Sequence, residues 1–130
     1  MAAEFSGNAS LSFVQIDADA PFPNGNFDVI SLIDTMHHIP PRDQRTLFAR
    51  MADKILPGGK IVYKDLETSP FWSLFTNQIH NLILTRQWVH VVPGDTICDW
   101  ADQLGLRLVE RKNVITAWYF HELFLFEKEE

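Results

Sequence analysis

The stretch FDVISLIDTMHHIPPRDQRTLFARMADKILPGGKIVYKDLE, residues 27–67, decides the fold. It opens with FDVISLI, Phe27 to Ile33, a mostly apolar run with the pattern of a strand covered on both faces. It closes with KIVYKDLE, residues 60–67, a second strand pattern that ends in acids. Between them lies a helix. Pro41 suits a first helical position, where its missing N–H costs nothing. Leu47, Phe48, Met51 and Ile55 recur at helical spacing, while Arg45, Arg50 and Lys54 fall mainly elsewhere. Pro57-Gly58-Gly59 is expected to stop that helix, the glycines by tolerating a left-handed cap. Strand, helix and strand in this order predict a parallel pair joined by a crossover.

The pattern extends in both directions. Upstream, SFVQID (residues 12–17) is short and apolar-rich and ends in an acid. ADAPFPNGN then supplies two prolines and an Asn-Gly pair, which is turn chemistry. Downstream, a helix is expected over about 70–85, with Trp72, Phe75, Ile79, Leu82 and Ile83 on one side. Another is expected over about 96–104, with Thr96 and Asp99 as a capping box. Its stripe is Ile97, Trp100, Ala101 and Leu104, and Gly105 ends it. LRLVERKNV and WYFHELFLFEK, joined by a short connection, predict an antiparallel strand pair. The whole is a mixed α/β sheet in one domain, residues 1–130.

Composition narrows the function. A hydrophobic content of 46% fits a packed core and excludes a disordered chain. The net charge of -6 argues against nucleic acid, whose phosphates call for a basic face. No apolar run is long enough to span a membrane, and MAAEFSGNAS lacks the basic and apolar regions of a signal peptide. The single cysteine, Cys98, is read as a packing residue and fits a cytoplasmic location.

The run FVQIDADAPFPNGNFDVISLIDTMHH, then a helix, then LPGGKIVYKDLE, resembles the class I S-adenosylmethionine-dependent methyltransferases. The resemblance covers roughly residues 13–128, and the closing antiparallel pair matches the family's last two strands. It implies a Rossmann-like sheet with parallel strands, a C-terminal antiparallel pair, and helices on both faces. One departure is large. The family begins with a strand, a glycine-rich turn, a helix, and a second strand ending in an acid. Gly7, Gly25, Gly58, Gly59, Gly94 and Gly105 do not make that turn. MAAEFSGNAS is therefore expected to be the end of the helix before the family's third strand, plus its exit loop, and the sheet to be truncated.

The resemblance implies that Asp17 and Ala18 contact the cofactor's adenine and that Asp34 and Thr35 line the turn beside it. Without the glycine turn and the second strand's acid, two or three charge-assisted hydrogen bonds are lost. At about 1.5–3 kcal/mol each, this weakens binding by several orders of magnitude. S-adenosylmethionine is thus expected to bind this chain weakly or not at all. The strand over 27–33 loses its central neighbour, and a bare apolar edge is a template for another chain. The nine residues between Asp17 and Phe27 reach about 30 Å, enough to bring residues 13–17 back beside that strand. The alternative is pairing between two chains, and a homodimer through the edge at Phe27 to Ile33 is expected.

IDTMHHIPP (residues 33–41) carries the chemistry. Adjacent histidines point to different faces and rarely chelate one ion, and no H-E-x-x-H or C-x-x-C accompanies them, so no metal is expected. A metal-dependent hydrolase using His37 and His38 is the weakest of the functional readings. Asp17, Asp34 and Asp65 each follow an apolar strand, at the end where open α/β sheets bind ligands. Asp34 is equally suited to cap the following helix, and His37 to pack on its first turn. His37 or His38 titrates near neutral pH and can serve as the base for a protic methyl acceptor.

The stretch 68–92 resembles the family's acceptor-side insertion, here expected to be helical. Its Arg86, Trp88 and His90, with Asp65, Tyr119 and His121, are the candidate acceptor contacts for a small or lipid-like molecule. Lys64 and Asp65 otherwise read as an exposed pair at a strand end. The chain is expected to be a methyltransferase, impaired or inactive by itself. The alternative is a non-catalytic, oligomeric interaction protein derived from that fold.

Overall fold

The structure is a computed structural model that describes residues 3–8, 11–15, 20–67, 79, 90–116 and 119–130. Strands β1 (Ala3–Asn8) and β2 (Leu11–Gln15) form an antiparallel hairpin of their own. The main sheet has four strands: β3 (Phe27–Ile33), β4 (Ile55–Leu66), β5 (Leu106–Thr116) and β6 (Tyr119–Lys128), in the spatial order β3-β4-β6-β5. β3 and β4 run parallel, and the β4–β6 and β5–β6 pairs are antiparallel. Helix α1 (Pro41–Lys54) is the crossover between β3 and β4, as a parallel pair requires. Helix α2 (Gly94–Gln103) precedes β5.

Both helices pack into one core. Phe48, Met51 and Ala52 of α1 meet Ile97 and Ala101 of α2 over Ile61, Tyr63, Phe124 and Phe126 of the sheet. Residues two apart on a strand share a face, which is why 61 and 63, or 124 and 126, are buried together. Phe48 lies edge-on to Tyr63 and Phe126, with ring centroids 6.2 and 5.9 Å apart. Lys128 Nζ donates to the carbonyls of Ala52 (2.9 Å) and Ile55 (3.1 Å), placing a cation on the unsatisfied carbonyl end of α1.

Several expectations need correction. Residues 3–8 form β1, not a helix end and exit loop, and the strand expected over 12–17 pairs with them over 11–15 instead of returning beside β3. Among the described residues, β3 therefore has no partner on its outer side, and Val29 (56% exposed) and Ile33 (44%) show that it is not covered on both faces. The α1 helix ends at Lys54, before Pro57-Gly58-Gly59, because Ile55 leaves for the sheet and faces Phe27. Those three residues fall inside β4, where the register with β3 shifts between Phe27 and Val29. Helix α2 starts at Gly94, two residues early, and no side-chain cap is made: Pro93 sits at the N-cap, and its carbonyl accepts from the Thr96 and Ile97 amides. The expected helix over 70–85 lies outside the described residues, except Ile79, which is helical.

The irregular start of β4 needs its glycine. A Cβ on Gly59 would sit 2.8 Å from the Asp28 carbonyl, 2.8 Å from the Leu56 carbonyl and 2.8 Å from Ile55 Cγ2. Two of those neighbours are backbone and cannot swing aside. Gly59→Ala should cost about 1–3 kcal/mol, the range for overpacking, read as a lower urea midpoint at unchanged slope.

Candidate active site

The carboxyl ends of β3 and β4 lie side by side in the parallel pair. The chain leaves β3 through Asp34, whose φ of 51° is in the left-handed region that an aspartate tolerates better than most residues. Its N–H donates to the Lys64 carbonyl (2.8 Å), and its carboxylate takes Lys64 Nζ at 3.2 Å. His121 Nε2, from β6, lies 3.6 Å from the other Asp34 oxygen. The aspartate thus ties three strand ends together instead of capping a helix. Thr35 Oγ1 bonds back to the Ile33 carbonyl (2.8 Å).

A short 3₁₀ turn, Met36–His38, follows. Met36 and His37 are buried, and His38 is exposed. His37 is held by Asp65 from the end of β4. The His37 Nδ1 and the Asp65 Oδ1 form a buried, short hydrogen-bonded pair. The His37 main-chain N–H donates to Asp65 Oδ2 at 3.0 Å, and the Leu66 N–H to Asp65 Oδ1 at 2.8 Å. Asp65 is therefore buried, at 4% exposure, and is not one of an exposed pair; Lys64, half-buried, has gone to Asp34. With a carboxylate on Nδ1, the imidazole carries its proton there, which leaves Nε2 as the basic nitrogen. Tyr63 lies beneath, its hydroxyl buried without a well-aligned hydrogen bond. Burial first, and then the nearby Asp65 charge, hold that phenol well above its ordinary titration range.

The other expected residues divide. Asp17, Ala18, Arg86 and Trp88 lie outside the described residues, and of Tyr119 only the backbone, in β6, is described. His90 is exposed, but its main chain is not idle: its N–H donates to the His37 carbonyl at 2.8 Å. His121 is buried beside Asp34, on the rim. Three groups near the site were not anticipated: Gln44, which bridges to this turn, and the Arg111–Glu122 pair at 3.0 Å, to which Asp95 is joined at 2.8 Å. Gln44 left a signal, since it falls one turn before Phe48 on the apolar stripe of α1.

Burial, ahead of every charge around it, lowers the pKa of His121 from its ordinary 6.5; Asp34 opposes the shift and Lys64 adds to it. The folded chain therefore binds fewer protons here than the unfolded chain. The stability this gives is present above pH 6.5 and is lost as pH falls below it. By NMR titration, His121 should show a midpoint under 6.5, and His121→Gln should flatten the rise of melting temperature with pH in that window.

Residues 5–111 match the family described as "Methyltransferase domain". The chain belongs to this family. Its sheet is that of the class I S-adenosylmethionine-dependent methyltransferases, truncated. Magnesium protoporphyrin IX methyltransferase from Synechocystis PCC 6803, with bound SAH, superposes with a TM-score of 0.66 at 10% identity, over 82% of this chain and 47% of that one. The N-methyltransferase NodS from Bradyrhizobium japonicum WM9 gives 0.59 at 21% identity, over 84% and 55%. A putative methyltransferase from Bacillus halodurans C-125 gives 0.67 at 12% identity, over 89% and 71%. The chain spans about half, 47%, of the length of the Synechocystis structure it matches. No curated protein sequence matches it.

The cofactor that this family implies finds only part of a site among the described residues. Asp34 stands at the right strand end, but its carboxylate is engaged by Lys64 and faces His121. The glycines with left-handed backbone, Gly25, Gly58 and Gly105, lie before β3, at the start of β4 and before β5, so none offers open amides at a carboxyl end. These residues do not fit the whole of S-adenosylmethionine.

Proposed function

We propose that this methyltransferase chain supplies the acceptor half of the reaction, for a small or lipid-like molecule that gives up a proton as it is methylated. The observation that carries this reading is the buried His37–Asp65 pair at the carboxyl ends of a parallel strand pair, where α/β sheets bind ligands. Asp65 fixes the ring and its tautomer, and Nε2 takes the proton from the acceptor's O–H or N–H. His38, exposed, is the second candidate base. Asp34, Thr35, Asp17 and Ala18 are the candidate cofactor contacts, and Asp65, Arg86, Trp88, His90, Tyr119 and His121 the acceptor side, with 68–92 as the inserted wall. In this reading S-adenosylmethionine binds this chain weakly, and activity is impaired accordingly. The test is isothermal titration with S-adenosylhomocysteine at millimolar concentration. Weak, saturable heat that vanishes in Asp34→Ala supports the reading. No heat at all removes catalysis by this chain.

A second reading is favoured by the open edge of β3, with Val29 and Ile33 exposed on it. An unpaired, partly apolar edge pairs readily with another chain, so a non-catalytic homodimer assembled along β3 is the alternative. A monomeric mass by light scattering at micromolar concentration removes it.

A further inference from the structure

His37 is gripped on more than its ring. Gln44, on the second turn of α1 and 5% exposed, points its carboxamide at three main-chain carbonyls. Nε2 lies 3.2 Å from the Met36 oxygen, 3.2 Å from the Ile39 oxygen and 2.7 Å from the His90 oxygen. The first belongs to the opening residue of the 3₁₀ turn that carries His37, and the second to the residue that follows the turn. The third belongs to the residue whose own N–H is bonded to the His37 carbonyl. Six bonds therefore close a ring of contacts around His37: two to Asp65 from β4, three from Gln44 of α1, and one from the His90 N–H. A buried amide with two N–H donors and three acceptors in reach is costly to bury unless all of them are used. On the apolar stripe of α1, a leucine would satisfy packing better. The polar side chain is spent on the turn.

We infer that Gln44 is a positioning residue. It fixes the His37 main chain against His90, so that residue 90 and the His37–Asp65 pair move as one unit. This rests on the proposed role of His37, but the contact itself does not depend on methyl transfer. A displacement at residue 90 reaches His37 through two routes: the direct N–H to carbonyl bond, and the shared carboxamide of Gln44.

The experiment uses the full chain and NMR. In Gln44→Leu, the His90 amide should exchange with solvent about tenfold faster, because it leaves a local and not a global opening. The His37 ring nitrogen resonances should shift and broaden, while amides of the β5–β6 pair keep their rates. Gln44→Glu, of the same shape, should show the same defect at neutral pH. It should recover in part on acidification, when the protonated acid can again donate. Unchanged His37 and His90 signals in both variants overturn the inference. So does uniform acceleration of all amides, which would mark Gln44 as a general core residue, and so does failure of both variants to fold. None of these readouts needs activity. A transferase reading that fails by titration with intact Gln44 coupling is thereby distinguished from a coupling that was never there.

Discussion

Phe48→Ala should lower the stability of the chain by about 3–5 kcal/mol, the range for emptying a buried aromatic site. Phe48 is fully buried and joins every layer of the core: Tyr63 of β4 and Phe126 of β6 at its edge, and Trp100 of α2 at 6.3 Å. Among the described residues the neighbours are poorly placed to collapse into the space, because Tyr63, Phe124 and Phe126 are fixed on strands; the Phe124 and Phe126 rings stack 4° from parallel, and Tyr63 packs tilted against Phe124. A typical domain holds only about 5–15 kcal/mol in total. A urea titration should show the midpoint falling sharply, with part of the variant unfolded before denaturant is added. Phe48→Leu, which keeps most of the volume, should fall much less. Equal losses for the two would mean that the site is not the close-packed junction described.

The same core explains what could be read from the chain alone. The apolar stripe Leu47, Phe48 and Met51 and the two flanking strand runs depend on neighbours in sequence, and they emerged with the right order and the right parallel pairing. The closing hairpin did too, because β5 and β6 are adjacent in the chain. What depended on distant partners did not. Ile55 leaves α1 because Phe27 pairs with it, so Pro57-Gly58-Gly59 became part of a strand instead of a helix stop. The capping box of Thr96 and Asp99 is not made. The helix begins earlier, at Gly94, where a Cβ would clash with the Glu122 carboxylate and lie 2.9 Å from the packed Phe124 ring. Residues 3–8 read as a helix end and its exit loop until their cross-strand partners at 11–15 are known. In the site, His37 and Asp34 were legible from their place after a strand. The burial of Asp65 was not, since a charge at a strand end is exposed unless a donor 28 residues away turns toward it.

Removing that acceptor is the second large effect. Asp65→Leu should cost about 3–5 kcal/mol, as expected when one partner of a buried pair is deleted and the other left behind. Three donors lose their oxygen at once: the His37 ring, the His37 N–H and the Leu66 N–H. Leucine adds apolar volume beside Tyr63, which repays little, because the cost lies in the unsatisfied donors and not in a void. Asp65→Asn should cost less, since its one carbonyl oxygen still serves some of the three while its NH₂ turns a donor toward another donor. A double-mutant cycle isolates the pair. His37→Leu alone should also destabilise, but Asp65→Leu with His37→Leu should cost less than the sum, by about 0.5–3 kcal/mol, because the second change removes a donor that the first had stranded. Additive losses would show that Asp65 serves only the main chain of the turn. A coupling of that size would show that ring and carboxylate act together, which is the condition for Asp65 to set the tautomer of His37 and leave Nε2 basic.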